Sequence, residues 1–573
     1  MNDQRNLFLA IAISVAIMLG WQYFIPAKPT VPAPQQTTDQ ATAELRPSAA
    51  PAAPPQIPGS AAATAATAAS RAAALDGSRR IAIKTPSVHG SIALMGARID
   101  DLTLVKYRST PSGESPEINL LSPAGAPDPY WAEFGWVPAD ATVKVPGPDS
   151  VWTPQSTAPL TPDTKLVLSW DNGEGLRFVR TYAIDADYMF SIGQRVENYG
   201  TKPVSLHPYA LLSRTGTPAV AGMYILHEGP LGVFDGTLKE VKYDDIKKEG
   251  ATRYKTTGGW AGITDKYWLA ALVPPAKTEV TGRFVHQRQD NAERYQVDYL
   301  AQPRVVEPGK AEESDFHLFA GAKQVSLLDG YSEKLGIDRF DLAIDFGWFY
   351  FLTKPFFYLL QMLHTALGNM GLAILALTVV LKLAMFPLAN KSYVAMSKMK
   401  KLQPQIKTLQ ERFGDDKMRL QQEMMALYKS EKVNPVSGCL PIMVQIPVFF
   451  ALYKVLFVTI EMRHAPFYGW IHDLSAQDPT NIFTLFGVIP WNAPDMFHLG
   501  VWPIIMGITM YLQQKLNPQP TDPVQAKMMQ FLPLIFTFLL ANFASGLVIY
   551  WAWSNSLSIL QQWVIMRRAE AKP

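Results

Sequence analysis

The sequence predicts a mixed fold class: a polytopic α-helical membrane core, an N-terminal anchor helix, and a large all-β domain between them. Three observations carry that reading. Leu7–Ile25 is nineteen residues without a charge, long enough to cross a bilayer. From Arg79 to Leu335, short runs alternate apolar and polar residues between turn signals, as half-buried strands do. The last 225 or so residues are dense in Phe, Leu, Ile, Met and Trp, in several runs of span length.

A chain of 573 residues has room for several domains. Its net charge is +3, so bulk charge argues for no nucleic-acid partner and no DNA binding is expected. Cys439 is the single cysteine, which excludes an internal disulfide. It opens an apolar run, and burial is its expected role.

Residues 1–25 read as an uncleaved anchor with a cytoplasmic amino terminus. Arg5 precedes an apolar stretch longer than the roughly 7–15 residues of a signal-peptide core. Residues 26–78 are mostly Ala, Pro, Thr, Gln and Ser. They cannot bury enough apolar surface to offset their ordering entropy, which predicts a disordered tether.

Residues 79–335 read as a β-sandwich outside the cytoplasm. Ile81–Ile83, Lys165–Trp170, Phe178–Tyr182 and Tyr295–Tyr299 are the clearest strands. Asp171-Asn-Gly173 and Asn198-Tyr-Gly200 are turns. Asp244 and Asp245 resemble a sugar-hydrolysing pair, but adjacent carboxylates on a loop are ordinarily solvated. The chain has no zinc-type His/Cys spacing, no phosphate loop and no nucleophile elbow. No enzymatic activity, cofactor or metal is therefore expected.

Residues 346–368 are aromatic and carry Lys354 and His364, which suits a helix lying on the outer membrane surface. Residues 369–568 form the core, with spans at about 369–389, 437–460, 499–516, 528–543 and 546–566. The first contains Lys382, and a charge at mid-bilayer costs roughly 2.5–3.5 kcal/mol. Lys382 falls about 16 Å below Gly371 at ~1.5 Å per residue. Thr378 lies four residues earlier on the same helical face, and Pro387 can bend the helix just beyond. Two readings fit this spacing. The lysine snorkels to the interface, or it is a functional charge in a wet pocket. Lys454 lies in the second span nearer the outer end, and snorkelling is its expected role. Pro441, Gln445 and Pro447 are expected to break that span.

Residues 390–434 form a polar hairpin of two helices, with Gly414 closing the first and Asp415 opening the second. Leu402, Ile406, Leu409 and Phe413 fall at helical spacing, as do Met418, Met425 and Tyr428. The hairpin has ten Lys/Arg against five acids, whereas Glu461–Asn492 has only Arg463. That asymmetry places the hairpin in the cytoplasm. Arg567 and Arg568 hold the carboxyl end on the same side.

Several runs carry a resemblance: Gly414-Asp-Asp-Lys417, Gln422–Lys429, Glu431–Pro435, Gln445-Ile-Pro447, Trp470–Pro479 and Ser545–Val548. They closely resemble the YidC membrane-protein insertases of Gram-negative bacteria. The resemblance covers essentially the whole chain and is most specific between Asn369 and Arg568. It implies a five-helix insertase core in the bacterial inner membrane, with a groove open to cytoplasm and lipid. It also implies a periplasmic β-supersandwich similar to sugar-mutarotase folds. The implied function is insertion and folding of membrane proteins, alone or with the Sec translocon.

By position, Lys382 falls where the family has its groove arginine; the charge is kept and the planar fork is not. Thr378, Gln445 and Ser545 match other polar groove positions, and substrate helices pass along the spans holding Gln445 and Leu534. The implied partners are nascent membrane proteins, the Sec translocon and membrane lipids. Ribosomes or targeting factors are implied at the Lys391–Lys432 hairpin and the C-terminus. The rival readings are a secondary transporter and an anchored periplasmic carbohydrate-binding or chaperone protein. A transporter usually shows inverted repeats and several intramembrane ionisable groups; here there are two lysines and no intramembrane acid. The anchored-domain reading leaves the later spans and the basic hairpin unexplained.

Overall fold

A computed structural model describes residues 70–570, apart from 221–225, 290–291, 414–415, 432, 434–439, 487, 490, 492–493, 495–497 and 518–522. The expected anchor, most of the tether, Gly414, Asp415 and Cys439 lie outside the described residues.

Two antiparallel sheets build the β domain, one of ten strands and one of nine. The first runs Arg80–Lys84, Val88–Ala93, Ile99–Arg108, Tyr130–Pro138, Val204–Thr215, Ala292–Ala301, Glu279–Gln289, Ala251–Thr257. The second centres on Trp268–Val273, Ala311–Ala322, Met189–Asn198 and Leu176–Ile184. In Leu176–Ile184 every second side chain is buried, because successive side chains point to opposite faces. The two inner faces meet in one core, where Phe134 of one sheet lies 6.3 Å from Phe316 of the other. Several charges taken into the sandwich are paired, whereas Arg180 and Lys323 are buried against neutral oxygens. Arg98 lies 2.6 Å from Glu133, and Arg283 lies 2.7 Å from the fully buried Asp298.

Three short helices attach to the sandwich. Helix α1 (Arg71–Asp76) falls inside the expected tether, which is thereby corrected. Arg71 reaches Asp101 on the first sheet, so ordering there has a partner. Helix α2 (Tyr243–Glu249) carries Asp244 and Asp245 in its first turn, not on a loop. Asp244 is 85% exposed, and both acids suit the positive end of the helix dipole. Helix α3 (Val325–Leu335) ends at Gly336, whose φ of 65° is left-handed.

Helix α4 (Tyr350–Leu367) is the aromatic helix. Its Lys354 lies 2.9 Å from both Asp329 of α3 and Asp341. The apolar core continues from the sandwich through Phe340 and Phe346 to Phe357 and Leu360. Packing therefore has no break at residue 335.

Helix α5 (Met370–Ala384) starts at Asn369, whose side chain accepts the Leu372 N–H. The chain then bends by 66° into α6 (Phe386–Phe413). Pro387 has no N–H for the Leu383 carbonyl, so the helical ladder is interrupted at the bend. Helix α7 (Lys417–Ser430) is capped by Asp416, which accepts the Arg419 N–H. The hairpin closes over Leu402, Ile406 and Val433, with Met424, Leu427 and Tyr428 against them. Of the second helix's expected set, Tyr428 packs on this core, while Met418 and Met425 are 75% and 57% exposed.

Helix α8 (Leu440–Val458) is continuous, against the expected break. Pro441 sits in its first turn, where the N–H would be unpaired anyway, and Pro447 removes one ladder bond. Helices α9 (Val501–Leu516), α10 (Pro523–Leu539) and α11 (Ser545–Glu570) complete the region. Among the described residues no single helix is long and apolar enough to cross a membrane; the bent α5–α6 pair is, by length and composition.

Candidate functional site: a cavity holding one lysine

Helices α5, α6, α8, α9 and α11 line an open-sided cavity of about 310 Å³, far above the roughly 10–15 Å³ that one water needs on this measure. Its polar lining includes Lys382, Gln445, Gln513, Asn517, Asn555 and Ser558; Ile446, Phe449, Phe450 and Trp551 form its apolar wall. The Lys382 ammonium donates to Ser558 Oγ at 2.8 Å, and Ser558 donates in turn to the Ser554 carbonyl at 2.9 Å. Gln445 donates to Tyr550 Oη at 3.2 Å. Among the described residues no carboxylate pairs with Lys382. A cation facing a neutral hydroxyl keeps more of its field than one paired with a carboxylate.

Helix α11 supplies Tyr550, Ser554, Asn555 and Ser558 to this lining. Tyr550, Ser554, Ser558 and Gln562 recur every four residues along α11. That spacing stacks them on one face, and all four are buried. Sequence reasoning read this stretch as a plain span and missed the stripe, which was its one available signal.

Of the expected site residues, Lys382 and Gln445 meet in the cavity. Thr378 lines a small annex beside both. It is buried, and its hydroxyl donates to the Ile374 carbonyl at 2.7 Å, so it has no hydrogen left for a ligand. Ser545 is elsewhere. It precedes Ser558 by thirteen residues, about 20 Å along a helix, and its hydroxyl donates to the Asp473 carbonyl at 3.1 Å. Leu534 lies exposed on α10 beside Phe531 and Ile535.

Lys454 does not snorkel. Its ammonium lies 2.8 Å from Asp345, and its side chain is 13% exposed. The loop after the sandwich brings that carboxylate to the end of α8, and Gly347 packs against the lysine stem. Nearby Glu461 is buried with one carboxylate oxygen unpartnered, and burial pushes its pKa up to about 7.

The YidC periplasmic domain family matches residues 80–359, and the 60Kd inner membrane protein family matches residues 362–572. Membrane protein insertase YidC of Bradyrhizobium diazoefficiens is 51% identical over 100% of this chain and 97% of its own length. That of Methylobacterium sp. (strain 4-46) is 50% identical over 100% of this chain and 96% of its own. A crystal structure of an active YidC insertase with its first transmembrane domain resolved is 16% identical. It covers 84% of this chain and 92% of that one, at a TM-score of 0.34. At half identity over its full length, the chain belongs to the YidC family of membrane protein insertases.

Proposed function

We propose that this insertase admits the polar tail of a nascent membrane protein into the Lys382 cavity and releases the adjoining apolar segment into lipid. The observation that carries the reading is Lys382 itself, a partly buried ammonium whose partner is a neutral hydroxyl beside a cavity of about 310 Å³. An acidic tail group about 4 Å away is attracted by roughly 4 kcal/mol at an effective dielectric near 20. That is enough to offset much of the cost of desolvating one carboxylate without trapping the tail. The substrate's apolar helix then partitions into lipid, and this drives the step. No nucleotide, metal or covalent chemistry enters, so the reading is of a non-enzymatic device.

The arrangement we propose has six spans, both termini inside, and the sandwich in the periplasm. The excess of Lys and Arg in 390–434 over 461–492 supports it. The same positive charge suits ribosomes, targeting factors or anionic lipid at the hairpin and the carboxyl end. Cooperation with the Sec translocon belongs to this reading as well.

The test is insertion of matched substrates with acidic and neutral tails at equal insertase levels. Lys382→Arg should keep both. Lys382→Ala should lose the acidic tail at least about tenfold, and Lys382→Glu more, because it repels the tail. Equal insertion of both substrates by Lys382→Ala would return the lysine to a snorkelling role.

A further inference from the structure

A second cavity, of about 260 Å³, lies along the same seam. Helices α8 and α11 wall both. The inner cavity takes Gln445–Phe450 and Tyr550–Ser558; the outer takes residues of Tyr453–Phe457 and Asn542–Leu547. Moving outward, numbers rise on α8 and fall on α11. Gln445 to Leu456 and Ser558 to Leu547 are eleven residues each. Both helices therefore advance about 16 Å, at ~1.5 Å per residue, from the far end of the inner lining into the outer one, and the two linings come within three residues of each other at Phe450/Tyr453 and Tyr550/Leu547.

Stacked rings divide the two. Phe449 and Trp551 of the inner wall lie 4.6 Å apart at 10°. Tyr453 of the outer wall stacks 6.1 Å from Phe449, and Phe543 lies 6.1 Å from Tyr453. The outer lining adds Ser475, Gln477 and Asn542 and no charged side chain. Lys266 of the sandwich packs on one of its lining rings: Nζ lies 3.9 Å from the centre of the Phe457 ring, with Glu228 and Asp473 acting on its charge.

We propose that the outer cavity is a second station for the substrate's polar tail, reached from the Lys382 cavity past the aromatic partition. This rests on the reading of the inner cavity as the point of entry. An extended tail carries unpaired backbone N–H and C=O groups. Amide and hydroxyl side chains such as Gln477, Asn542 and Ser475 both donate and accept, so they pair a backbone of any sequence. An acidic tail leaving Lys382 comes next to a wall ring, Phe457, on which the cation Lys266 is packed, while the stacked rings separate the two stations.

The experiment uses the full chain in membranes, with Cys439→Ser and one new cysteine, either Ser554→Cys (inner) or Asn542→Cys (outer). Ribosome-stalled substrates of increasing length carry one cysteine in a short acidic tail. Disulfide formation with Ser554→Cys at short lengths, moving to Asn542→Cys at longer ones, is the expected result. Bonds to Ser554→Cys alone at every length, as an outer cavity filled by lipid would give, overturn the second station and leave the entry reading intact. Bonds to neither overturn both. Lys266→Ala should lower the outer bond about two- to fivefold for acidic tails and leave neutral tails unchanged. An equal drop for both tails would remove Lys266 from the path.

Discussion

Two lysines stand in apolar helices, Lys382 on α5 and Lys454 on α8, and their surroundings differ. Lys454 is matched to Asp345 at 2.8 Å, in the manner of Arg98 with Glu133 and Lys354 with Asp329 and Asp341. Lys382 is matched to a serine hydroxyl beside a cavity. A buried cation facing a carboxylate has its field neutralised, and it fixes one loop against one helix. A partly buried cation facing a hydroxyl keeps its field. The partner, and not the depth in the helix, separates the structural charge from the one available to a ligand.

The largest test of this contrast is a pair of alanine variants. Lys454→Ala leaves Asp345 without its cation; the carboxylate is 25% exposed and keeps the His227 and Gly347 N–H donors, so the expected loss is about 3 kcal/mol, the low end for breaking a buried pair. Thermal unfolding of the detergent-solubilised protein should show that loss. Lys382→Ala should leave the melting temperature nearly unchanged, since it removes a partly buried charge and strands no carboxylate. Insertion assays should rank the variants the other way for tail charge: only Lys382→Ala should discriminate. If Lys454→Ala melts normally and discriminates between tails, the contrast fails.

A second variant converts one region into the other. Ser558→Asp places a carboxylate where the hydroxyl now meets Lys382. The new pair would resemble that of Lys454, and the cavity would lose its free positive field. Acidic-tail insertion should fall by about a hundredfold, equivalent to roughly 2.8 kcal/mol. Ser558→Asn, similar in size and neutral, should retain most of it. Loss with both variants would indicate a packing role for Ser558.

A smaller effect separates the junction from the cavity by pH. Burial raises the Glu461 carboxyl from 4.5 to about 7. The folded state then holds this proton more tightly than the unfolded state. Its stabilising contribution is full below about pH 4.5 and is lost as pH rises through about 7. Melting between about pH 5 and pH 8 should show a decline of about 2 kcal/mol from this group, allowing for relaxation and water entry. Glu461→Gln should flatten the decline. An unchanged profile in Glu461→Gln would assign the pH dependence to another group.

Much of this was legible in the sequence, for identifiable reasons. The strands alternate with a period of two, and Leu176–Ile184 buries every second residue as written. Lys382 and Gln445 were visible because a long polar side chain is conspicuous in an apolar run. Ser558 was not, because a serine in an apolar helix reads as bonded to its own backbone, and Ser558 does make that bond. Asp345 was not seen as the partner of Lys454, because 109 residues separate them and nothing local marks the pair. Ser545 was placed by family position alone, and the geometry puts it at the opposite end of α11 from Ser558.

The hairpin supplies the smallest test, and it addresses the same issue of which face a residue presents. Met424, Leu427 and Tyr428 sit at i, i+3 and i+4 on α7 and pack on Leu402 and Ile406. Met418 and Met425 are seven apart, which also satisfies a helical repeat, so spacing alone cannot choose between the two stripes. In the structure the 418/425 stripe is exposed and the 424/427/428 stripe is inward. Met418→Gln and Met425→Gln should then change stability by less than about 0.5 kcal/mol, as exposed substitutions do. Met424→Gln should loosen the hairpin, because it turns a polar amide toward Leu402 and Ile406. Hydrogen exchange of the α6 and α7 amides measures this directly. Faster exchange in Met425→Gln than in Met424→Gln would mean that α7 packs through its other stripe. The basic residues would then be turned to a different side of the hairpin, and the surface proposed for ribosomes, targeting factors or lipid would have to be redrawn with them.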